Sequence, residues 1–363
     1  MLPRLSLKVK VTLFGVMILV VVVWSLAMFA GRLLRADTLR LMGEQQSSMV
    51  NLIAAQLDAR VADRLQALSA VAANIDAQLL ANPAALQAML ERREVIPRLF
   101  NHGGLVVDIE GYARASVPLS VGRSGLNFMD YSHTVSVLLT GKPIVGQPII
   151  GKITGEFLIF MAVPIKAPDG RVIGALSGVT DLGVPNFLDV VTTSNLGKTG
   201  EYVIVSREAR TIIAATDKSR VTEVLPALGV NPAIDRFVAR DGFSDVLINT
   251  RGVEVLASIK SIPSANWQLV ASLPMAEVME PIVTTRYRLL AVALLLTVMA
   301  AFLGWALARR ELDPLSARAN HLRALTLSGA ASEPLPVERD DEIGALLHAF
   351  NRQKAAMRAR RFA

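Results

Sequence analysis

The chain has no cysteine, so no disulfide staples any part of it. Its four histidines, His102, His133, His321 and His348, lack the short spacings that gather imidazoles around a metal. Gly197-Lys198-Thr199 ends like a phosphate-binding loop, but that motif requires glycine at position 192, where Thr192 stands. Two stretches of 20 residues, 11–30 and 289–308, contain no Asp, Glu, Lys, Arg or His at all. These absences exclude a disulfide scaffold, a histidine metal centre and a nucleotide-binding loop. They also mark the two uncharged runs as the strongest signal in the chain.

A helix of about 20 residues rises about 30 Å, enough to cross the hydrocarbon of a bilayer. The first run is too long for a cleaved signal peptide and no small-x-small site follows it. The alternative for the second run, a buried core helix, seldom reaches this apolar length. The expectation is two transmembrane helices, at 11–30 and 289–308, in a multi-pass protein of the lipid bilayer. Charge sets their direction. Residues 1–10 carry 3 basic and no acidic side chains, residues 309–363 carry 10 and 7, and residues 31–288 carry 25 and 24. Six of the seven net positive charges therefore lie in the two short ends. Both ends are placed in the cytoplasm and the nearly neutral 258 residues between the spans outside it. The pI near 9.9 reflects this orientation charge and gives no reason to expect nucleic acid as a partner. A cysteine-free outer domain suits a bacterial envelope. The expected location is the bacterial inner membrane, with the outer domain periplasmic.

Within that domain, residues 32–81 read as one long stalk helix. Val50, Ile53, Leu57, Val61, Leu65, Leu68, Ala72, Ile75 and Leu79 recur at spacings of three and four. Asn82-Pro83 then starts a second helix reaching to about Phe100. From Gly104 the texture turns to strands. Residues 105–109 and 112–117 form a hairpin, 143–150 a strand, and 157–165 and 171–180 flank the turn Pro168-Asp169-Gly170. The expectation is a five-stranded antiparallel sheet with helices on one side, followed by a helical stretch near 184–195. Strands at 201–206, 211–215, 243–248, 253–259 and 267–272, with a helix at 231–240, repeat the architecture without repeating the sequence. The fold class is α+β, with a distal module at 83–182 and a proximal one at 184–274. Met275 begins a helix continuing into the second span.

These residues resemble the double Cache (dCache) sensors of bacterial transmembrane receptors, over roughly residues 36–283 of an outer domain placed at 31–283. The resemblance rests on Gly122-Arg123-Ser124-Gly125-Leu126-Asn127, Asp130, Gly141-Lys142-Pro143, Pro164-Ile165, Asp169-Gly170, and 174–182 ending Asp181-Leu182. Leu196-Gly197-Lys198-Thr199-Gly200, Trp267 and Pro274 carry it into the proximal module. It is closest to the sensor halves of diguanylate cyclases and cyclic-di-GMP phosphodiesterases. It implies two stacked PAS-like modules, the distal one holding an amino acid, amine or carboxylate. Relatives commonly place Asp-Arg-x-Tyr-Phe where this chain has Asp130-Tyr131-Ser132-His133-Thr134, so the carboxylate-gripping arginine of that motif is replaced by Tyr131. The ligand residues so implied are Asp130, Tyr131, His133 and Asp181, with Phe157 and Phe160 as further lining. Asp181 matches a pocket aspartate that often pairs with a ligand amine; its alternative role is to cap the segment that follows.

Residues 309–360 resemble a HAMP linker. Asp313-Pro314-Leu315 follows the second span, and Asp341-Glu342-Ile343-Gly344 leads to Phe350-Asn351. Leu312, Leu315, Ala319, Leu322 and Thr326 keep a three-four spacing, as do Ile343, Leu347, Phe350 and Met357, broken once at Lys354. Two such helices need a second copy to bury their stripes, so a homodimer is expected. Pro314, Glu342, Gly344 and Phe350 are the expected relay residues toward a cytoplasmic output domain or protein. No Gly-Gly-Asp/Glu-Glu-Phe cyclase motif, kinase ATP site or cofactor-binding motif is found. The chain reads as a receptor rather than an enzyme, with no cofactor. The alternatives are a cyclic-di-GMP enzyme whose catalytic domain lies beyond Ala363, the sensor half of a chemoreceptor or histidine kinase, and a ligand-free dimeric scaffold.

Overall fold

The computed structural model describes residues 7–327 and five positions beyond 347. Contacts divide the chain into a compact unit, Ala30–Tyr287, and a second unit made of the segments on either side of it.

The first helix, α1 (Leu7–Ala72), carries the predicted stripe. Val50, Ile53, Leu57, Val61, Leu68 and Ala72 are all buried. The stripe's period matches the α-helix, so one face of α1 forms a wall shared by both modules. The predicted helix over 32–81 stops at Ala72, nine residues early. Asn74 donates its side-chain amide to Ala70 O, and Asp76 accepts from Leu79 N at 2.7 Å, capping the separate turn α2 (Ala77–Leu80). Such short polar side chains compete with the helix for its own backbone groups. Asn82 caps α3 (Pro83–Glu91) as expected, accepting from Ala85 N. The chain turns before α4 (Val95–Leu99), so the single helix expected to reach Phe100 is two. Pro97 falls in the first turn of α4, where a missing N–H removes no helical bond.

The distal sheet comprises β1 (Gly104–Asp108), β2 (Ala113–Val117), β3 (Ile144–Val145), β4 (Ile149–Ile150), β5 (Phe157–Lys166) and β6 (Val172–Asp181). Its order is β2-β1-β6-β5-β3, with β4 also on β5, and every pair is antiparallel. The predicted strand over 143–150 is broken in two at Gly146-Gln147-Pro148, where Pro148 has no N–H for a ladder. Strands β5 and β6 are apolar at nearly every position, which requires cover on both faces. Ile159, Met161, Val163 and Ile165 face the α1 side. Leu158, Phe160 and Ala162 face α5 (Ser132–Thr140), which contributes Val137 and Leu138. Helices therefore cover both faces, not one as expected from the sequence. The extra layer creates the space in which the candidate site lies.

The helical stretch expected near 184–195 is a single turn, α6 (Asp189–Thr192). The proximal sheet follows: β7 (Glu201–Ser206), β8 (Ile212–Ala215), helix α7 (Pro232–Val238), then β9 (Phe243–Ile248), β10 (Glu254–Ile262) and β11 (Trp267–Pro274). Its order is β8-β7-β11-β10-β9, again antiparallel throughout. Gln46 of α1 donates to Leu256 O and Ala271 O across this sheet, and Asp58 accepts from Ser264 N.

The last helix, α8 (Met275–Leu327), begins in the compact unit Ala30–Tyr287. Both α1 and α8 contain a window of mean hydropathy 2.4, with 0% and 6% of those windows buried. Their apolar side chains point outward, as at Leu26, Met28, Leu295 and Phe302. Within the second unit Trp24 Nε1 donates to Thr297 Oγ1 at 3.3 Å.

Candidate ligand site

The site lies on the α5 face of the distal sheet. Phe128, Tyr131, His133 and Phe160 form a continuous aromatic group. His133 stacks on Phe160 at 4.6 Å and on Tyr131 at 5.6 Å, and Phe128 lies 5.8 Å from Tyr131. His133 is fully buried in α5, and burial brings its imidazole down to about 4, so it is neutral at ordinary pH.

Arg123 enters from the other side. Gly122 and Gly125 adopt positive φ, a conformation that costs glycine nothing, and fold the loop so that Arg123 points inward. It is only 3% exposed. Nη1 and Nη2 each donate to His102 O at 3.1 Å. Burial lowers Arg123 to about 10, partly offset by the charge of Glu156. Among the described residues no carboxylate forms an ion pair with it.

A loop after β4 closes the top. Gly155 N donates to Gly151 O and Gly151 N to Glu156 O, which makes 151–156 a compact turn. Lys152 lies across the mouth. Its ammonium pairs with Asp130, reaches Asn127 O and lies 5.1 Å above the Tyr131 ring. Its backbone N–H donates to the Tyr131 hydroxyl. The cavity beneath has a volume of only about 20 Å³, roughly the space of one water. His102, Arg123, Phe128, Tyr131, Lys152 and Phe160 are among the residues that line it. A larger groove of about 600 Å³ runs between α1 and β9–β10, but it is open and its charged residues are exposed.

The sequence-predicted residues divide. Tyr131 lines the cavity and His133 supports it by stacking. Asp130 stands outside and holds Lys152. Phe157 heads β5 and is 43% exposed, away from the lining, whereas Phe160 lines it. Asp181 is buried, and its Oδ1 accepts from Gly183 N at 2.7 Å in a local turn; it does not cap a helix, since α6 begins only at Asp189. It lies near His102 and Glu156, the ligand atoms of all three being within 4.8 Å of one another. This trio has metal-binding residue types, yet the neighbouring Arg123 guanidinium opposes a cation. Burial and Arg123 both push His102 toward its neutral form.

Sequence reasoning missed Arg123 and Lys152 as site residues. A Gly-Arg-Ser-Gly loop looks exposed, and only the fold turns its arginine inward. Of the expected relay residues, Pro314 falls within α8, of which only the backbone is described there. Glu342, Gly344 and Phe350 lie outside the described residues.

With two antiparallel sheets against one long helix, the architecture is that of a two-module sensor domain. The Cache domain family, in its dCache_1 form, matches residues 31–282, and the chain belongs to it. The ligand-binding domain of the Pseudomonas fluorescens chemoreceptor CtaA, solved with L-isoleucine, is 18% identical; the match covers 68% of this chain and 97% of that one at a TM-score of 0.51. The corresponding domain of Campylobacter jejuni chemoreceptor Tlp3, solved with 4-methylisoleucine, is 13% identical, covering 68% and 95% at 0.52. The Pseudomonas aeruginosa PAO1 amino acid chemoreceptor PctB, solved with L-Arg, is 17% identical, covering 69% and 92% at 0.51. No curated protein matches by sequence.

Proposed function

We propose that this chain is the input half of a transmembrane receptor. A small molecule binds outside the cytoplasm in the distal module, and α1 and α8 relay the event inward to a HAMP dimer and its output. The observation that carries this reading is the aromatic cavity of a Cache fold with a buried charge within and Lys152 across its mouth. The outward-facing apolar side chains of α1 and α8 support two membrane spans, since such surface is unfavourable in water. Relatives solved with amino acids support a ligand of that size. The chain acts by binding and relay, not catalysis. Output through a cyclic-di-GMP enzyme rests on the sequence resemblance alone.

The test is thermal unfolding of the full chain in detergent, with a panel of amino acids, amines and carboxylates. At least one compound is expected to raise the melting temperature. Lys152→Ala, which opens the cavity, is expected to increase the response. No response to any compound in either protein would favour the ligand-free scaffold.

A further inference from the structure

We infer that the distal cavity takes a carboxylate with an apolar body and no amino group, held by Arg123. This rests on the sensor reading above and narrows its ligand class.

A buried charge without a counter-ion is costly, and proteins retain one where a ligand supplies the missing partner. Arg123 comes close to that description: it is 3% exposed, lines the cavity and is hydrogen-bonded only to a backbone carbonyl, with the charge of Glu156 nearby but no carboxylate paired with it among the described residues. A guanidinium has five N–H donors. Two serve His102 O, which leaves three, of which Nε–H and the Nη–H beside it form a parallel pair matched to a carboxylate. The position given to arginine by the resemblance holds Tyr131 here, so Arg123 supplies from a different loop what that motif lacks.

The rest of the lining argues against an amine. None of the lining residues is acidic. Asp130 is engaged by Lys152, and Asp181 is outside the lining with one oxygen on Gly183 N. An ammonium group entering beside the Arg123 guanidinium would meet a like charge and no acidic residue of the lining. The walls are Phe128, Tyr131 and Phe160 with Val121 and Leu158, which suit an apolar body. In a cavity of about 20 Å³ the ligand enters only as Lys152 swings from the mouth. Its ammonium then leaves Asp130.

The experiment is calorimetric titration of the full chain in detergent with two matched trios. One is 3-phenylpropanoate, L-phenylalanine and 2-phenylethylamine; the other is propanoate, L-alanine and ethylamine. The acid of at least one trio is expected to bind at least tenfold more tightly than its amino acid, with no heat from the amine. Arg123→Gln is expected to lose at least tenfold of that affinity, and Arg123→Lys less. If Arg123→Gln does not fold, the ranking on the natural chain decides alone. An amino acid or amine that outbinds its acid overturns the assignment and leaves the sensor reading standing. The same holds if neither acid binds while another compound of the wider panel does. Silence from both trios and the whole panel removes the sensor reading and this inference together.

Discussion

At the scale of single residues, His133 governs how the distal module responds to acid. Its imidazole is packed against both Tyr131 and Phe160, and burial holds its folded pKa at about 4 against 6.5 for the free side chain. The unfolded chain therefore binds the extra proton first, and stability rises with pH across this window. The contribution is complete above pH 6.5 and drains away as pH falls toward 4. By the pKa difference it amounts to about 3 kcal/mol. Urea midpoints measured every half unit should fall across this range, and His133→Phe, which keeps the stack, should flatten much of the slope. His102 is lowered in the same direction and retains part of it. The carboxylates lowered by hydrogen bonds, such as Asp217 at about 2, lose their contribution at lower pH and do not mimic the effect. An unchanged slope in His133→Phe would show that His133 is not the group titrating. Residue identity in this site was only half legible. Tyr131 and Phe160 were accessible because motif and strand pattern pointed to them. Arg123 was not, because nothing local distinguishes an inward arginine from a solvated one.

At the scale of elements, periodicity reads well and interruption reads poorly. The α1 stripe was legible because three-four spacing admits one structure. Its stop at Ala72 depends on the side-chain bonds of Asn74 and Asp76, which the apolar pattern does not record. The Gly197-Lys198-Thr199 segment is a further example. It resembles an anion-binding loop, and it does bind an anion: the carboxylate of Glu277 in the first turn of α8. Lys198 N and Thr199 N donate to Glu277 at 2.6 and 2.9 Å, and the Thr199 hydroxyl at 2.6 Å. These bonds hold the Glu277 carboxyl below its usual range. A Cβ at Gly197 would come within 2.3 Å of Glu277 Oε1, so only glycine permits the grip. This clamp fastens the start of α8 to the loop that leads into the proximal sheet, on the route of the proposed relay. Hydrogen exchange should therefore be faster at Lys198, Thr199 and the first turn of α8 in Glu277→Ala and in Gly197→Ala. The distal sheet should exchange unchanged. Equal protection at the loop in both variants would remove the clamp from any relay.

At the scale of the whole molecule, the absent cysteines become an instrument. Any cysteine introduced is the sole thiol of the chain, so maleimide labelling reports one position at a time. Leu139 in the distal module and Leu228 in the proximal module are 80% and 76% exposed, so a cysteine at either is reachable and disturbs no core. The charge argument puts both outside the cytoplasm and both ends of the sequence inside it. A membrane-impermeant maleimide added to intact cells whose outer membrane is permeable should therefore label Leu139→Cys and Leu228→Cys. It should label Ser6→Cys and Ala363→Cys only after the inner membrane is opened. The reverse pattern would invert the orientation and place the distal cavity in the cytoplasm. Labelling of all four positions in intact cells would mean the two uncharged runs do not separate compartments. The proximal-to-distal order of the modules adds a constraint the charges alone cannot supply. The sensor unit is entered through α1 and left through α8, and the Arg123 cavity belongs to the module between α2 and α6. On the relay proposed above, a ligand held at Arg123 acts on the output through α1, the proximal sheet and the Glu277 clamp.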